Sequence, residues 1–222
     1  MKDQSPCPLC SSNQTDEYYE DRKRPYRFCP QCALVFVPPS SHLSEEEEKK
    51  VYDLHENDPE DRGYRRFLSR LADPLSERVT PGSRGLDFGC GPGPALTAML
   101  EERGYRMSLF DKYYRNDPEV LNTLYDFICT TEVVEHLRSP GKVFEELFNR
   151  LVPGGLLAVM TKLVIDKDAF SKWHYIQDPT HICFFSRETF EYIAGQFNGR
   201  CDFIGKDVIM IQKKREPGSL YN

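Results

Sequence analysis

The run Leu86-Asp87-Phe88-Gly89-Cys90-Gly91-Pro92-Gly93-Pro94 constrains this 222-residue chain more than any other feature. A short apolar strand, Gly85 to Phe88, stops on three alternate glycines and a helix opens after them. Glycine removes the Cβ clashes of a sharp strand-to-helix turn, and helix N-terminal amides then face whatever sits in front of it. Asp87 stands just before the loop, where a carboxylate can bond loop amides or a ligand ammonium. Asp111 closes the next strand, where it can take both hydroxyls of a ribose. The spacing is Gly-x-Gly-x-Gly, not the Gly-x-Gly-x-x-Gly of dinucleotide oxidoreductases. No Gly-Lys-Ser/Thr follows, so the loop suits a ligand without phosphates.

Around this loop strand and helix patterns alternate. Strands are expected at 85–88, 106–110, 125–130 and 156–160, with helices at 94–103, 140–151 and 186–197 and closing strands near 201–205 and 207–213. Alternation of this kind predicts a parallel α/β sheet with helices on both faces. Upstream, Ser44 is placed to cap a helix beginning at Glu45-Glu46-Glu47-Glu48. A second helix is expected over 63–79, with Phe67, Leu68, Leu71 and Leu75 on one face.

Four of the eight cysteines form two Cys-x-x-Cys pairs, Cys7/Cys10 and Cys29/Cys32. Two such knuckles bridged by a hairpin-length segment can present four thiolates to one tetrahedral Zn²⁺. Four sulfurs fill the coordination sphere, so the expected role is structural, and metal binding supplies folding free energy to a ribbon too small to bury a core. Cys90, Cys129, Cys183 and Cys201 read as small buried residues. The N-terminus lacks a secretory hydrophobic stretch, no apolar run reaches the ~20 residues of a membrane span, and a cytoplasmic protein is expected.

Residues 85–162 resemble the core of class I methyltransferases. The loop 86–94 is similar to their cofactor motif and Asp111 to their ribose-binding acid. Thr130 to Leu137 is similar to the segment after the fourth strand, and Leu151-Val152-Pro153-Gly154-Gly155-Leu156 to the turn before the fifth. The resemblance implies a Rossmann-like sheet with S-adenosylmethionine across the carboxyl ends of its strands. Gly89, Gly91 and Gly93 would hold the amino-acid part, Asp111 the ribose, and Glu132 would lie near the methionine end. Asp87, Cys90 and Thr131 complete the implied cofactor-binding set. Only 13 residues separate Asp111 from Tyr125, where the family fits a helix, a strand and an adenine-contacting loop, so that element is expected to be shortened or missing.

The stretch Lys172 to Ser186 holds the only Trp, two of the five His and a dense aromatic set. Its aromatics can wall a pocket or pack over a sheet, and a His there can remove a proton from an O–H or N–H nucleophile. His181 has two readings, general base or structural hydrogen bond within the Asp178–Ser186 turn. His174 and Tyr175 are further catalytic candidates. His136 is expected to cap or pack a helix start. With this stretch the whole chain resembles a bacterial group of zinc-ribbon methyltransferases, which carry the paired knuckles, the glycine loop, Glu132-Val133-Val134-Glu135-His136 and His174-Tyr175-x-x-Asp178-Pro179-Thr180-His181 in this order. The implied division is a zinc ribbon at 1–39, a helical linker at 40–80 and a methyltransferase domain at 81–222. The resemblance implies the reaction type far better than the substrate, and the expected acceptor is a small molecule methylated at O, N or C.

Charge bears on the alternatives. Net charge is −6, and residues 1–40 balance Lys2, Arg22, Lys23, Arg24 and Arg27 against Asp3, Asp16, Glu17, Glu20 and Asp21. A nucleic-acid binder is expected to show a larger positive footprint. An RNA methyltransferase gripping its substrate through the ribbon, with Arg22 to Arg27 the place to look, is therefore the weaker alternative. A non-catalytic cofactor-binding scaffold is another, while DNA and membrane are not expected as partners.

Overall fold

Strand and helix alternate along the chain as the apolar periodicities dictate, and the computed structural model describes residues 5–54 and 57–215. In chain order the elements are β1 (Asp16–Glu20), β2 (Pro25–Phe28), β3 (Val35–Phe36), α1 (Glu45–Tyr52), α2 (Arg62–Ser76), β4 (Arg84–Phe88), α3 (Ala95–Glu102), β5 (Arg106–Phe110), β6 (Tyr125–Thr131), α4 (Pro140–Asn149), β7 (Leu151–Met160), α5 (Lys167–Ser171), β8 (Cys183–Phe184), α6 (Arg187–Gln196), β9 (Gly199–Ile204) and β10 (Val208–Lys213). The ends of the expected ribbon and methyltransferase domain, 1–4 and 216–222, and positions 55–56 of the expected linker lie outside the described residues.

Two compact units form, and neither is contiguous in sequence. The first draws on Met1–His55, Glu132–Phe144 and Thr161–Ile193, the second on Glu56–Thr131, Glu145–Met160 and Ala194–Asn222.

The second unit contains a six-stranded sheet in the order β5-β4-β6-β7-β10-β9. β5, β4, β6 and β7 run parallel, as expected, but β10 pairs antiparallel with both β7 and β9. The sheet is mixed, a correction to the all-parallel expectation. The turn at Gly205 reverses β9 directly into β10, and a tight reversal can only produce antiparallel neighbours. On one face, Phe127 and Cys129 of β6, Leu156, Ala158 and Met160 of β7, and Val208 and Met210 of β10 alternate into a core. Leu68, Leu71 and Leu75 of α2 and Leu96, Met99 and Leu100 of α3 cover them. Asp61 caps α2 by accepting from the Tyr64 amide. Between Asp111 and Tyr125 lies a 3-10 turn at Pro118–Asn122, so β5 is the edge of the sheet, in line with the missing element. Pro153-Gly154-Gly155 lies within β7, not in a turn before it. The β6–β7 register jumps there from Tyr125↔Leu151 to Phe127↔Leu156, with Gly154 at φ +82°.

In the first unit β1, β2 and β3 form the ribbon, and β8 adds to β3 through Val35↔Phe184 and Phe36↔Cys183. α1 begins as expected, with Ser44 and Glu47 forming a reciprocal capping box. Phe184 and Phe185, at 1% and 0% exposure, are core residues, not pocket walls. Phe170 is the hub, with the rings of Tyr18, Tyr26, Trp173 and Phe184 at 5.1–6.1 Å. A three-stranded ribbon cannot bury its own apolar face, and these aromatics supply the other half of that core.

Candidate functional site

β4 delivers the glycine loop, and the loop is held closed by its own neighbours. The Gly89 and Cys90 amides donate to the Phe110 carbonyl at 2.8 and 3.2 Å. The Gly91 amide donates to Asp111 Oδ2 at 3.0 Å, while Asp111 Oδ1 accepts from the Tyr113 and Tyr114 amides at 2.8 and 3.1 Å. Gly89 and Gly91 sit at φ +80° and +65°, where a side chain is strained. A Cβ on Gly93 would collide with the Asn57 carbonyl oxygen, so the close approach that glycine permits here is first to the chain's own segment. The amides of Gly89 and Gly91 thus serve the loop's architecture, and no side chain caps the start of α3.

Asp87 is 2% exposed and accepts from Thr97 Oγ1 of α3 at 2.9 Å. Sequence reasoning missed Thr97, whose only signal is its place one turn into the helix the loop opens. Burial pushes the Asp87 carboxyl up to about 6, and the Asp111 charge adds to this. Burial also pushes the Cys90 thiol up to about 12, so it is neutral. Thr131 ends β6. No lysine or arginine lies within the loop 86–94. Glycine loop, buried carboxylate and strand-end Asp111 are the groups that could hold a nucleoside without phosphates.

The first unit holds two further constellations. The four thiols of Cys7, Cys10, Cys29 and Cys32 lie within 4.8 Å of one another. Cys7 Sγ is 3.5 Å from Cys32 Sγ and Cys10 Sγ is 3.5 Å from Cys29 Sγ. Disulfides need about 2 Å, whereas four thiolates around one ion at about 2.3 Å stand about 3.8 Å apart. The knuckles are built alike. The Ser11 amide bonds the Cys7 carbonyl and the Ala33 amide the Cys29 carbonyl, with Ser11 and Ala33 both left-handed at φ +61° and +57°. This cluster could hold a metal ion. Arg24 and Arg27, inside the expected basic patch, are buried. Arg24 donates to the carbonyls of Ile176, Asp178 and Pro179 at 2.8–3.0 Å, and Arg27 to Thr15.

The second constellation gathers Glu132, Glu135, His136, Thr161, Tyr175 and His181. Tyr175 donates its hydroxyl to Glu135, whose other oxygen accepts from Thr161 Oγ1 at 3.0 Å. Glu132 Oε2 lies 3.3 Å from the same tyrosine hydroxyl, and Glu132 is held at φ +51°. Burial drives the Tyr175 phenol upward, reinforced by both carboxylates, and lifts Glu135 to about 7. His181 Nδ1 bonds the Tyr175 carbonyl at 2.8 Å, and burial pulls the imidazole down to about 4. His174 is exposed, with Nε2 2.9 Å from Lys162 Nζ, and that ammonium lies 4.9 Å from the centroid of the Tyr175 ring. His136 ends a 3-10 turn, with its ring against Tyr52 and His181. Glu135 and Thr161 were not singled out from sequence, because a buried carboxylate is recognisable only once its donors are in place.

A family profile described as a methyltransferase domain matches residues 58–200. No curated protein matches the chain in sequence. Among solved structures, it is similar to an assigned S-adenosylmethionine-dependent methyltransferase of Methanococcus maripaludis, with 13% identity, TM-score 0.53 and coverage of 79% of this chain and 95% of that one. A chain in the complex between the Haloferax volcanii Trm112 methyltransferase activator and a methyltransferase has 10% identity, TM-score 0.51 and coverages of 78% and 99%. An O-methyltransferase family protein from Burkholderia thailandensis has 14% identity and TM-score 0.50, and the match covers 76% of this chain and 63% of that protein.

Proposed function

Because the chain belongs to the methyltransferase domain family, and is thereby an enzyme of the S-adenosylmethionine-dependent kind, we propose that it transfers a methyl group to O, N or C of a small-molecule acceptor. The cofactor, when bound, supplies an electrophilic methyl sulfonium. The chain's own part is to hold it. Asp111 and the Gly89–Gly93 loop bind the nucleoside and amino-acid portions, with Asp87 keeping the loop on α3 and Cys90, Thr131 and Glu132 completing the set. Direct displacement needs alignment and a group to take the acceptor's proton. We assign that proton to Tyr175, His181 and His174, with the Tyr175–Glu135 pair leading, because the Tyr175 hydroxyl already donates to the Glu135 carboxylate and His181, at about 4, is a weak base.

One observation carries the choice of a small acceptor over RNA. Arg24 and Arg27, half of the only basic cluster in the ribbon, are spent on internal carbonyls, leaving Arg22 and Lys23 exposed. We read the four-cysteine cluster as a structural Zn²⁺ site that folds the ribbon, supported by the sulfur spacing, and the setting as cytoplasmic, supported by the placing of four cysteines in one metal-ligand pattern. Among the described residues no helix is long and apolar enough to cross a membrane.

Isothermal titration of zinc-loaded protein with S-adenosylhomocysteine tests the reading. One site is expected, with affinity at least tenfold weaker in Asp111→Ala. A folded, zinc-replete protein that takes up neither S-adenosylhomocysteine nor S-adenosylmethionine would refute it.

A further inference from the structure

Glu135, His136 and His181 each place a ligating atom within 4.8 Å of the other two, and we propose that they form a second metal site, for a divalent first-row transition ion. Two imidazoles and one carboxylate are the donor set such ions take when coordination positions stay open for water or an oxygen ligand. Around an ion at about 2.1 Å the three donors would stand about 3–3.5 Å apart, a closure that side-chain torsions supply.

Each donor already has the outer support that ligands need. Metal-bound histidines characteristically donate their other ring N–H to a carbonyl, which fixes tautomer and ring orientation. His136 Nδ1 is 3.1 Å from the Thr180 carbonyl and His181 Nδ1 is 2.8 Å from the Tyr175 carbonyl. A carbonyl only accepts, so the proton of each neutral ring sits on Nδ1 and the lone pair on Nε2. Glu135 accepts from the Thr161 and Tyr175 hydroxyls, one per oxygen, which orients the carboxylate and leaves lone pairs for a cation. Backbone pairing locks the two segments together, since the Ile182 amide donates to the Glu135 carbonyl at 2.8 Å and the Val37 amide to the Ile182 carbonyl at 2.9 Å. Asp178 Oδ2 stands 3.7 Å from His181 Nε2, too far for a hydrogen bond, and adds negative charge on the side a cation would occupy.

The chemistry separates this site from the ribbon's. Four thiolates select zinc, whereas two imidazoles and a carboxylate accept Mn²⁺, Fe²⁺ or Co²⁺. The assignment goes beyond methyl transfer and is measured without any methyl donor. The test is Co²⁺ titration of the zinc-loaded full chain, with metal content read after equilibrium dialysis and the visible spectrum recorded. One Co²⁺ per chain is expected in addition to the zinc, with d–d absorption and no sulfur-to-cobalt charge-transfer band. His136→Gln and Glu135→Gln are expected to weaken Co²⁺ binding tenfold or more. Tyr175→Phe, which removes a donor to Glu135 but no ligating atom, should weaken it about 10–100-fold. All three should keep their zinc. Wild-type protein that takes up no Co²⁺ beyond exchange at the cysteines, or variants that bind it undiminished, would overturn the assignment.

Discussion

Asp87 is a carboxylate in a place that resists charge. Its folded pKa of about 6 lies above the unfolded 3.8, so its contribution to stability is complete below pH 3.8 and is lost as pH rises through 6, by about 3 kcal/mol. Asp87→Asn keeps the shape and abolishes this dependence. Measured as urea-unfolding free energies, the variant should gain on wild type as pH climbs from 4 to 7, by up to about 3 kcal/mol. A gap that stays constant across that range would contradict the assigned cause. Gly91 makes the companion case. Alanine there meets φ +65° and Asn57 Nδ2 at 3.0 Å, so Gly91→Ala should cost about 1–2 kcal/mol from backbone strain alone, read as a lowered urea midpoint. Gly89, Gly91, Gly93, Asp87 and Asp111 were all legible in the sequence as a set. What each one touches was not, because Asn57 comes from the irregular segment between α1 and α2, and Thr97 from a face of α3 that sequence order leaves undetermined.

At the scale of elements, the ribbon sheet depends on parts far away in the chain. Arg24 fills the turn between β1 and β2 and hydrogen-bonds three carbonyls of residues 176–179. Arg24→Met should destabilise the first unit by about 2–4 kcal/mol, because it strands buried acceptors that a charged donor had satisfied. Arg24→Lys should restore only part, since an ammonium cannot reproduce the fork. Denaturant unfolding followed by Trp173 fluorescence reports it, and full recovery in the lysine variant would speak against the carbonyl clamp. Metal removal acts on the same element. Chelation should raise amide hydrogen exchange at Val35, Phe36 and Phe184 together, since β3 and β8 share one ladder, and exchange changes confined to the knuckles would count against a shared ladder. The knuckles could be read from spacing alone. β8 could not, because two residues carry no periodicity and its partner strand is itself only two residues long. The antiparallel β10 was hidden for another reason: an apolar alternation sets faces, not direction.

For the molecule as a whole, net charge of −6 and a ribbon whose Arg24 and Arg27 are internally engaged predict negligible association with RNA. Titration of total RNA at low salt should give no salt-dependent complex, and a steep salt slope would revive the RNA reading. Fold class and the order of motifs were open to inspection in the sequence, since alternation and glycine placement are local properties. The interleaving of two units, each assembled from three stretches, was not, because contiguous reading assigns neighbours in sequence to the same body. Burial of a carboxylate such as Glu135 belongs to the same hidden class, being a property of the assembled unit.

The pairing of β3 with β8 also bears on synthesis. Residues 5–37 leave the ribosome before their partners, since Arg24 must wait for Ile176, 152 positions later, and Val35 for Phe184. At about 5–20 residues per second this is a delay of about 8–30 s, during which the nascent hairpin presents an unpaired strand edge and the Tyr26 ring to its surroundings. Early capture of zinc by the paired knuckles would give that segment a fold of its own to wait in, so a metal held there would guard the newborn chain as much as it would shape the finished one.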